Sequence, residues 1–175
     1  TREEFQKYIY SYNEDEIFYK TLYLQEKEHP ETFHDYCLTL DRKQIYEHRL
    51  YVPELQTEAW YPYMKETDLF HDINGNIVLS KHYRYTPVFP HEHEFFEILC
   101  LYDGTAHTAI QGIEHTLHTG DICIIPPHTT HSVGIFDDSV AFNILVRGST
   151  FQSTFFQSLT ADSALTQFFA HVLYR

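Results

Sequence analysis

The sequence predicts a mostly β fold, a closed or sandwiched antiparallel sheet with helices before and after it. Two observations support this prediction. Short β-like runs alternate with turn signals between residues 77 and 147, and six or seven short strands in close succession are typical of an antiparallel sandwich or barrel. On both sides of this region, apolar residues recur at helical spacing instead.

The strand region follows the turn signal Asn74-Gly75-Asn76 and ends near Arg147. Its predicted strands cover residues 77–85, 95–102, 105–110, 114–117, 121–125, 132–136 and 140–146. After Gly148-Ser149 the apolar spacing becomes helical, which predicts a C-terminal pair of helices.

The N-terminal part of the chain is harder to interpret. Phe5, Tyr8, Ile9 and Tyr12 recur at helical spacing, and a second helical run covers residues 14–27. Between residues 31 and 66 the pattern is mixed, with a candidate helix at 44–50. The sequence thus predicts two short helices within the first 27 residues and indicates no role for them.

Composition restricts the classes of function. A chain of 175 residues has room for one well-buried core. Its 25 acidic residues outnumber the 12 Lys and Arg, giving a formal net charge of −13, with no basic cluster. Because phosphate contacts by basic residues dominate affinity for nucleic acid, this charge argues against direct DNA binding by these residues.

The cysteines and the hydropathy indicate a cytoplasmic protein outside the membrane. Cys37, Cys100 and Cys123 are an odd number without Cys-x-x-Cys spacing, which is typical of reduced thiols. No apolar stretch approaches the roughly 20 residues of a membrane helix. The chain starts at Thr1 and stops within an apolar-periodic run, so we expect it to be a piece of a longer protein.

One group of residues has the composition of a metal site. His91, His93 and Glu97 have the same parity, so on an extended chain they point to one face. His131 follows Pro126-Pro127 and is a natural fourth ligand. Imidazoles with a carboxylate suit a divalent transition metal (Zn, Ni, Fe, Mn or Co). The sequence therefore predicts a metal site formed by these four side chains.

The spacing of these ligands resembles the two motifs of the cupin superfamily. His91-x-His93-x3-Glu97-x6-Gly104 reproduces the first motif from its first histidine onward. The second motif is present from Gly120 to His131. The resemblance implies a cupin-type antiparallel β-barrel, jelly-roll-like in its topology.

Three positions depart from the cupin pattern. Tyr85 replaces the glycine that opens the first motif, His128 replaces the inner glycine of the second, and Ile135 stands where asparagine is usual. None of these changes removes a metal ligand, but they argue against the tight enzymatic forms of the motif.

The surrounding residues resemble one branch of the superfamily, the N-terminal sensing domains of AraC-type transcription regulators. Pro90-His91-Glu92-His93, Glu97-Ile98, the run 113–117 and the run from Gly120 to His131 match that branch. The resemblance covers residues 77–175. It implies an effector-binding domain that senses a small molecule, with a sugar as one candidate, and forms a homodimer. DNA would then be bound only through a helix-turn-helix domain expected after residue 175.

This resemblance divides the chain into three parts: a helical lead-in of unclear role (1–75), a cupin β-barrel (76–148) and a C-terminal helical segment leading to a dimer or linker region (149–175). In this family the barrel is often metal-free, so metal occupancy stays open. A metal-dependent cupin enzyme, a dioxygenase or an isomerase, is the alternative function. A metal that only braces the barrel is a third possibility.

Four further residues are candidates for the ligand pocket. Tyr85, Phe89 and Phe95 flank the metal ligands and can stack on an effector, although core packing is the alternative role for each. His128 borders the expected pocket mouth. We assign no catalytic residue; Glu94 and His128 are the acid or base that the enzyme alternative would use.

Overall fold

The computed structural model describes residues 1–25, 27, 63–70, 75–151 and 167. Its helices and strands are α1 (Arg2–Tyr10), α2 (Glu14–Gln25), β1 (Tyr63–Met64), α3 (Glu66–Phe70), β2 (Ile77–Lys81), β3 (Glu92–His93), β4 (Phe96–Asp103), β5 (Thr105–Ile110), β6 (Ile113–His118), β7 (Ile122–Ile125), β8 (His131–Gly134), β9 (Val140–Val146) and α4 (Gly148–Thr150).

Two antiparallel sheets form the body of the fold. The first has the strand order β2-β9-β4-β7, and the second has the order β6-β5-β8. A short parallel pair, β1 with β3, lies beside them. These sheets confirm the mostly β fold, and β5 and β9 have the bounds that the sequence predicts.

The interior lies between the two antiparallel sheets. Along β4, Glu97, Leu99 and Leu101 are buried and point inward, because alternate residues of a strand share a face. The main core cluster takes residues from both sheets: Leu99, Leu101, Ala106, Val133, Ile135 and Ala141. Packing of β4 and β9 against β5 and β8 therefore closes the core.

The predicted strand over residues 77–85 is shorter in the structure and ends at Lys81. The His82 amide still donates to the Ala141 carbonyl at 2.9 Å. Beyond it, the Arg84 side chain points into the N-terminal helices, and Tyr85 adopts a left-handed backbone with φ of 63°. Tertiary contacts of Arg84 and Tyr85 thus override the β-like pattern of this run.

The two predicted N-terminal helices are confirmed. Thr1 caps α1 and forms a capping box with Glu4. At the start of α2, the Asn13 side chain accepts from the Glu16 amide at 2.8 Å, and Glu16 Oε2 accepts from the Asn13 amide at 3.1 Å. These reciprocal bonds satisfy amides that the first turn of a helix leaves open.

A buried ion pair attaches these helices to the strand region. Arg84 Nε donates to Glu16 Oε1 at 2.8 Å, and Arg84 Nη2 donates to Oε2 at 3.1 Å. Lys81 Nζ donates to the same Oε2 at 2.9 Å. Arg84 Nη2 also donates to the Ser11 carbonyl at 2.8 Å, and the guanidinium lies 3.6 Å from the centre of the Tyr12 ring. The Arg84 side chain is therefore held by charge, hydrogen bonds and a cation–π contact.

An aromatic cluster extends the same interface. Tyr23 of α2 stacks on Phe136 with ring centroids 4.9 Å apart, and Tyr85 lies 5.4 Å from Tyr23. Leu22 packs in the same place against Phe89 and Phe136. The N-terminal helices thus cover one end of the strand region with apolar as well as charged contacts.

At the other end of the chain, Phe151 stacks on Phe96 with ring centroids 3.9 Å apart. The predicted C-terminal helices beyond it, and the candidate helix at 44–50, lie outside the described residues. No described helix is both long enough and apolar enough to span a membrane. Cys100 and Cys123 are free thiols in the described part of the chain.

Candidate metal centre

Three short segments bring the predicted metal ligands together. His91 and His131 pair through a β-bridge, with the His91 amide 2.8 Å from the His131 carbonyl and the His131 amide 2.9 Å from the His91 carbonyl. His93 lies on β3 and Glu97 on β4. All four side chains are buried, as the shared parity of the first three predicts.

The site has three converging ligands and a fourth neighbour. The ligand atoms of His91, Glu97 and His131 all lie within 4.8 Å of one another. His93 is outside this group, but its Nε2 is 3.2 Å from Glu97 Oε2. His131 Nε2 lies 3.3 Å from the same oxygen. One carboxylate oxygen is thus flanked by two imidazoles.

Backbone carbonyls fix the orientation of two of the histidine rings. His91 Nδ1 donates to the Phe89 carbonyl at 3.0 Å, and His131 Nδ1 donates to the Thr129 carbonyl at 2.9 Å. Metal-bound histidines usually donate their second ring nitrogen in this way. Each Nε2 is therefore left with its lone pair directed to the centre of the group.

These directed lone pairs fit a cation. His91 Nε2 is buried and has no hydrogen-bond partner among the described residues. The lone pair of His131 Nε2 faces an oxygen of Glu97, and two acceptors at that distance need a proton or a cation between them. The residues present thus fit a divalent transition metal.

The electrostatics favour the protonation states that metal ligands require. Burial, with a further contribution from His131, lowers the pKa of His91 to about 3, so this ring is neutral near pH 7. Burial alone would raise the pKa of Glu97, but its close interactions with His131 and His93 outweigh it and hold that pKa well below the usual range. A neutral imidazole and an ionised carboxylate are the ligand forms that bind metal.

The structure places the four pocket candidates differently. Phe95 lies next to the metal group, stacked on the His93 ring at 4.2 Å. Tyr85 and Phe89 belong to the aromatic interface with α2. His128 is exposed, and its amide donates to the His93 carbonyl at 2.8 Å.

Two of the residues that depart from the cupin motifs keep the left-handed backbone that the motif glycines would adopt. Tyr85 and His128, which replace the two glycines, both have positive φ, at 63° and 59°. Ile135, in place of asparagine, packs in the main core cluster, and its carbonyl accepts the Tyr85 amide at 2.7 Å. The left-handed turns of the motifs are therefore kept without glycine.

Two polar residues inside the fold were missed by the sequence analysis. His82 and Asn143 are buried, and Asn143 Nδ2 lies 3.4 Å from His82 Nδ1. Asn143 is the single polar residue of the otherwise apolar strand β9, on the parity that faces inward. That interruption of an apolar run is the signal that could have found it.

Comparison with known proteins identifies the family. A family model described as the AraC-like ligand binding domain matches residues 75–173, and a search of curated proteins gave no significant match. Among solved structures, a cupin 2 conserved barrel domain protein from Salinispora arenicola is 20% identical, with 46% of this chain and 71% of that chain covered and a TM-score of 0.36.

Two other solved structures show the same level of similarity. An RmlC-like cupin from Shewanella frigidimarina is 18% identical over 43% of this chain and 70% of that chain, with a TM-score of 0.39. A cupin protein from Bacteroides fragilis is 20% identical over 51% of this chain and 74% of that chain, with a TM-score of 0.36. With TM-scores this low, the assignment depends on the family model, whose match spans more than half of the sequence. The chain belongs to the family of AraC-like ligand-binding domains.

Proposed function

We propose that this chain is the effector-binding and dimerisation domain of an AraC-type transcription regulator. A small-molecule effector would bind inside the strand region, and DNA would be contacted only through a separate helix-turn-helix domain. The observation that carries the proposal is the buried group His91, Glu97 and His131 inside a family of ligand-binding domains. The net charge of −13 supports a division of labour in which these residues do not touch DNA.

The same group is proposed to hold a divalent transition metal. His91, Glu97 and His131 would supply the ligands, with His93 adjacent to Glu97. When bound, such an ion acts as a Lewis acid that can hold an oxygen atom of a ligand. The chain's own residues orient the imidazoles and exclude water from the centre.

A specific observation favours sensing over catalysis. The enzyme alternative needs an acid or base near the metal, and Glu94 and His128 are its candidates. The Glu94 carboxylate instead accepts the Glu66 amide at 3.0 Å, and the His128 side chain is exposed. The engagement of Glu94 with the Glu66 amide and the exposure of His128 support sensing over catalysis.

Calorimetric titration of the purified protein with zinc tests the metal proposal. We expect one equivalent to bind, and we expect His91→Ala to weaken binding by at least ~10-fold, because even second-shell changes cost that much. His115→Ala, an exposed histidine on β6, is the matched control and should bind as the wild type does. Equal binding by H91A and the wild type would contradict the proposal.

Elemental analysis separates the alternatives. Stoichiometric iron or manganese in protein purified without added metal would favour the dioxygenase or isomerase alternative. A large fall in melting temperature of the double variant H91A/H93A, with unchanged ligand response, would favour a metal that only braces the barrel.

The assembly and compartment are part of the proposal. The Phe-rich C-terminal segment of the sequence supports a homodimer, and the free thiols of Cys100 and Cys123 support a reducing, cytoplasmic setting. Sedimentation equilibrium of the chain would contradict dimerisation if it gave only the 20.8 kDa monomer mass at all concentrations.

A further inference from the structure

The segment over residues 82–90, which leads into His91, lies between helix α2 and strand β8. On the helix side, the buried Leu22 packs against Phe89. On the strand side, Val88 lies so close to Gly134 of β8 that a methyl group on this glycine would be 2.8 Å from Val88 Cγ2. The segment is therefore held on two sides and has little room to shift.

The backbone of Phe89 connects this packing to the His91 ring. The Phe89 carbonyl accepts a hydrogen bond from His91 Nδ1 at 3.0 Å. Because a carbonyl only accepts, Nδ1 carries the ring hydrogen and Nε2 keeps its lone pair. Pro90 stands between the two residues, and its ring restricts its φ angle to about −65°. Few free torsions separate Phe89 from the His91 ring, so a shift of one is passed to the other.

The His131 ring of the same group has a separate support. Its Nδ1 donates to the Thr129 carbonyl at 2.9 Å, within the turn that precedes β8. The support of His91, in contrast, is the residue that packs on α2. A change in α2 should therefore act on the His91 ring first.

Helix α2 has attachments besides Leu22. Its Glu16 forms the buried ion pair with Arg84 at 2.8 Å, and its Tyr23 stacks on Phe136 at 4.9 Å. Truncation of Leu22 thus removes the contact with Phe89 while these attachments continue to hold the helix.

We propose that Leu22 is a positioning residue for the metal group. By packing on Phe89, it holds the carbonyl that orients His91, with Nε2 left free for a metal ion. Helix α2 then contributes to the binding site, although it precedes the residues that match the family. This inference depends on the proposed function, because it concerns the same group, but it also predicts the ring orientation in the metal-free protein.

Long-range proton–nitrogen NMR of the histidine rings tests the orientation without metal. We expect His91 of the wild type to carry its hydrogen on Nδ1, and Leu22→Ala to give a mixture of the two neutral tautomers. Leu101→Ala is the matched control, since it makes the same truncation at a buried residue of the main core cluster. Leu101 is four residues beyond Glu97 on β4, about 13 Å along the strand, so L101A should keep the Nδ1 tautomer.

Calorimetric titration with zinc gives the second readout. L22A should bind zinc about 10-fold more weakly than the wild type, the lower end of the loss caused by disturbing an outer-shell partner. L101A should keep the wild-type affinity, although both truncations should lower the melting temperature. Leu22→Met preserves the side-chain volume and should restore both the tautomer and the affinity.

The inference is overturned if L22A keeps the wild-type tautomer or the wild-type zinc affinity, or if L101A loses them to the same extent. If L22A does not fold, Leu22→Val makes the same comparison with a smaller truncation. A wild type that binds no zinc would contradict the metal centre of the proposed function, and the tautomer comparison would still decide the role of Leu22.

Discussion

Glu16 and Arg84 lie 68 positions apart in the chain and form an ion pair in which both side chains are buried, at 0% and 1% exposure. The pair joins α2 to the segment that leads from β2 to His91. It also explains why a lead-in that the sequence left without a role packs on the strand region.

Removing one charge of this pair should be costly. Glu16→Gln leaves Arg84 buried without its carboxylate, and breaking a buried pair in this way typically costs about 3–5 kcal/mol. Urea denaturation monitored by circular dichroism measures the free energy of unfolding. Glu114→Gln, at an exposed glutamate of β6, is the matched control and should unfold as the wild type does. Equal stability of E16Q and E114Q would contradict the role of the pair.

The same pair predicts a dependence of stability on pH. Burial alone would raise the pKa of Glu16, but hydrogen bonds from Arg84 and Lys81 outweigh it and lower the pKa below 4.5. A carboxylate with a depressed pKa in the folded state stabilises fully above its unfolded pKa and loses this contribution as pH falls. We expect unfolding free energy to drop below about pH 4.5 in the wild type, and to drop less steeply in E16Q.

The left-handed positions of the two motifs predict opposite effects of glycine. At the exposed His128, glycine relieves a positive φ and should stabilise by about 0.5–1 kcal/mol. At Tyr85, glycine also removes a buried ring that packs on Tyr23 and Phe136, so Tyr85→Gly should destabilise. Thermal unfolding of both variants checks this, and a lower melting temperature for H128G would count against it.

Two glycines with positive φ offer a matched pair. A methyl group on Gly104 would lie 2.0 Å from Ser139 Oγ, whereas one on Gly120 meets nothing within 4 Å. Both alanine substitutions cost the left-handed backbone about 1 kcal/mol or more. G104A should be the less stable variant, because Ser139 must also shift and weaken its bond from the Thr105 amide. Equal denaturation midpoints for G104A and G120A would contradict this prediction, because they would show that Ser139 moves aside without a loss of stability.

The stack of Phe151 on Phe96 should contribute strongly to stability. Phe151 is 2% exposed and its ring is nearly parallel to that of Phe96, at 13°. Phe151→Ala should lower the free energy of unfolding by about 3–5 kcal/mol, the range for buried aromatic truncation. Phe5→Ala, at a ring that is 52% exposed, is the control and should change stability far less.

The sequence predicted the strands because they depend on local patterns, and the runs between turn signals gave β5 and β9 their bounds. Shared parity predicted that His91, His93 and Glu97 share one face, and the structure buries all three side chains. The end of β2 was wrong because the contacts of Arg84 with α2 are long-range and leave no local pattern. The position of His93 beside Glu97, outside the converging group, depends on ring geometry that spacing does not encode.

The polar pair in the interior was missed for a related reason. Asn143 interrupts an apolar run, but His82 follows a strand by one residue and is unremarkable in a chain with 13 histidines. Only the pairing of β2 with β9 brings the two side chains together. Such pairings are visible once strand order is known.

The contacts of Arg84 also determine where a recombinant fragment of the protein should begin. The family match begins at residue 75, so a recombinant fragment trimmed to it would discard Glu16, Tyr23 and Leu22. Its Arg84 would lose the Glu16 carboxylate, and Phe136 would lose its stacking partner Tyr23. We expect such a fragment to be aggregation-prone, and the smallest unit that folds by itself to start upstream of α2.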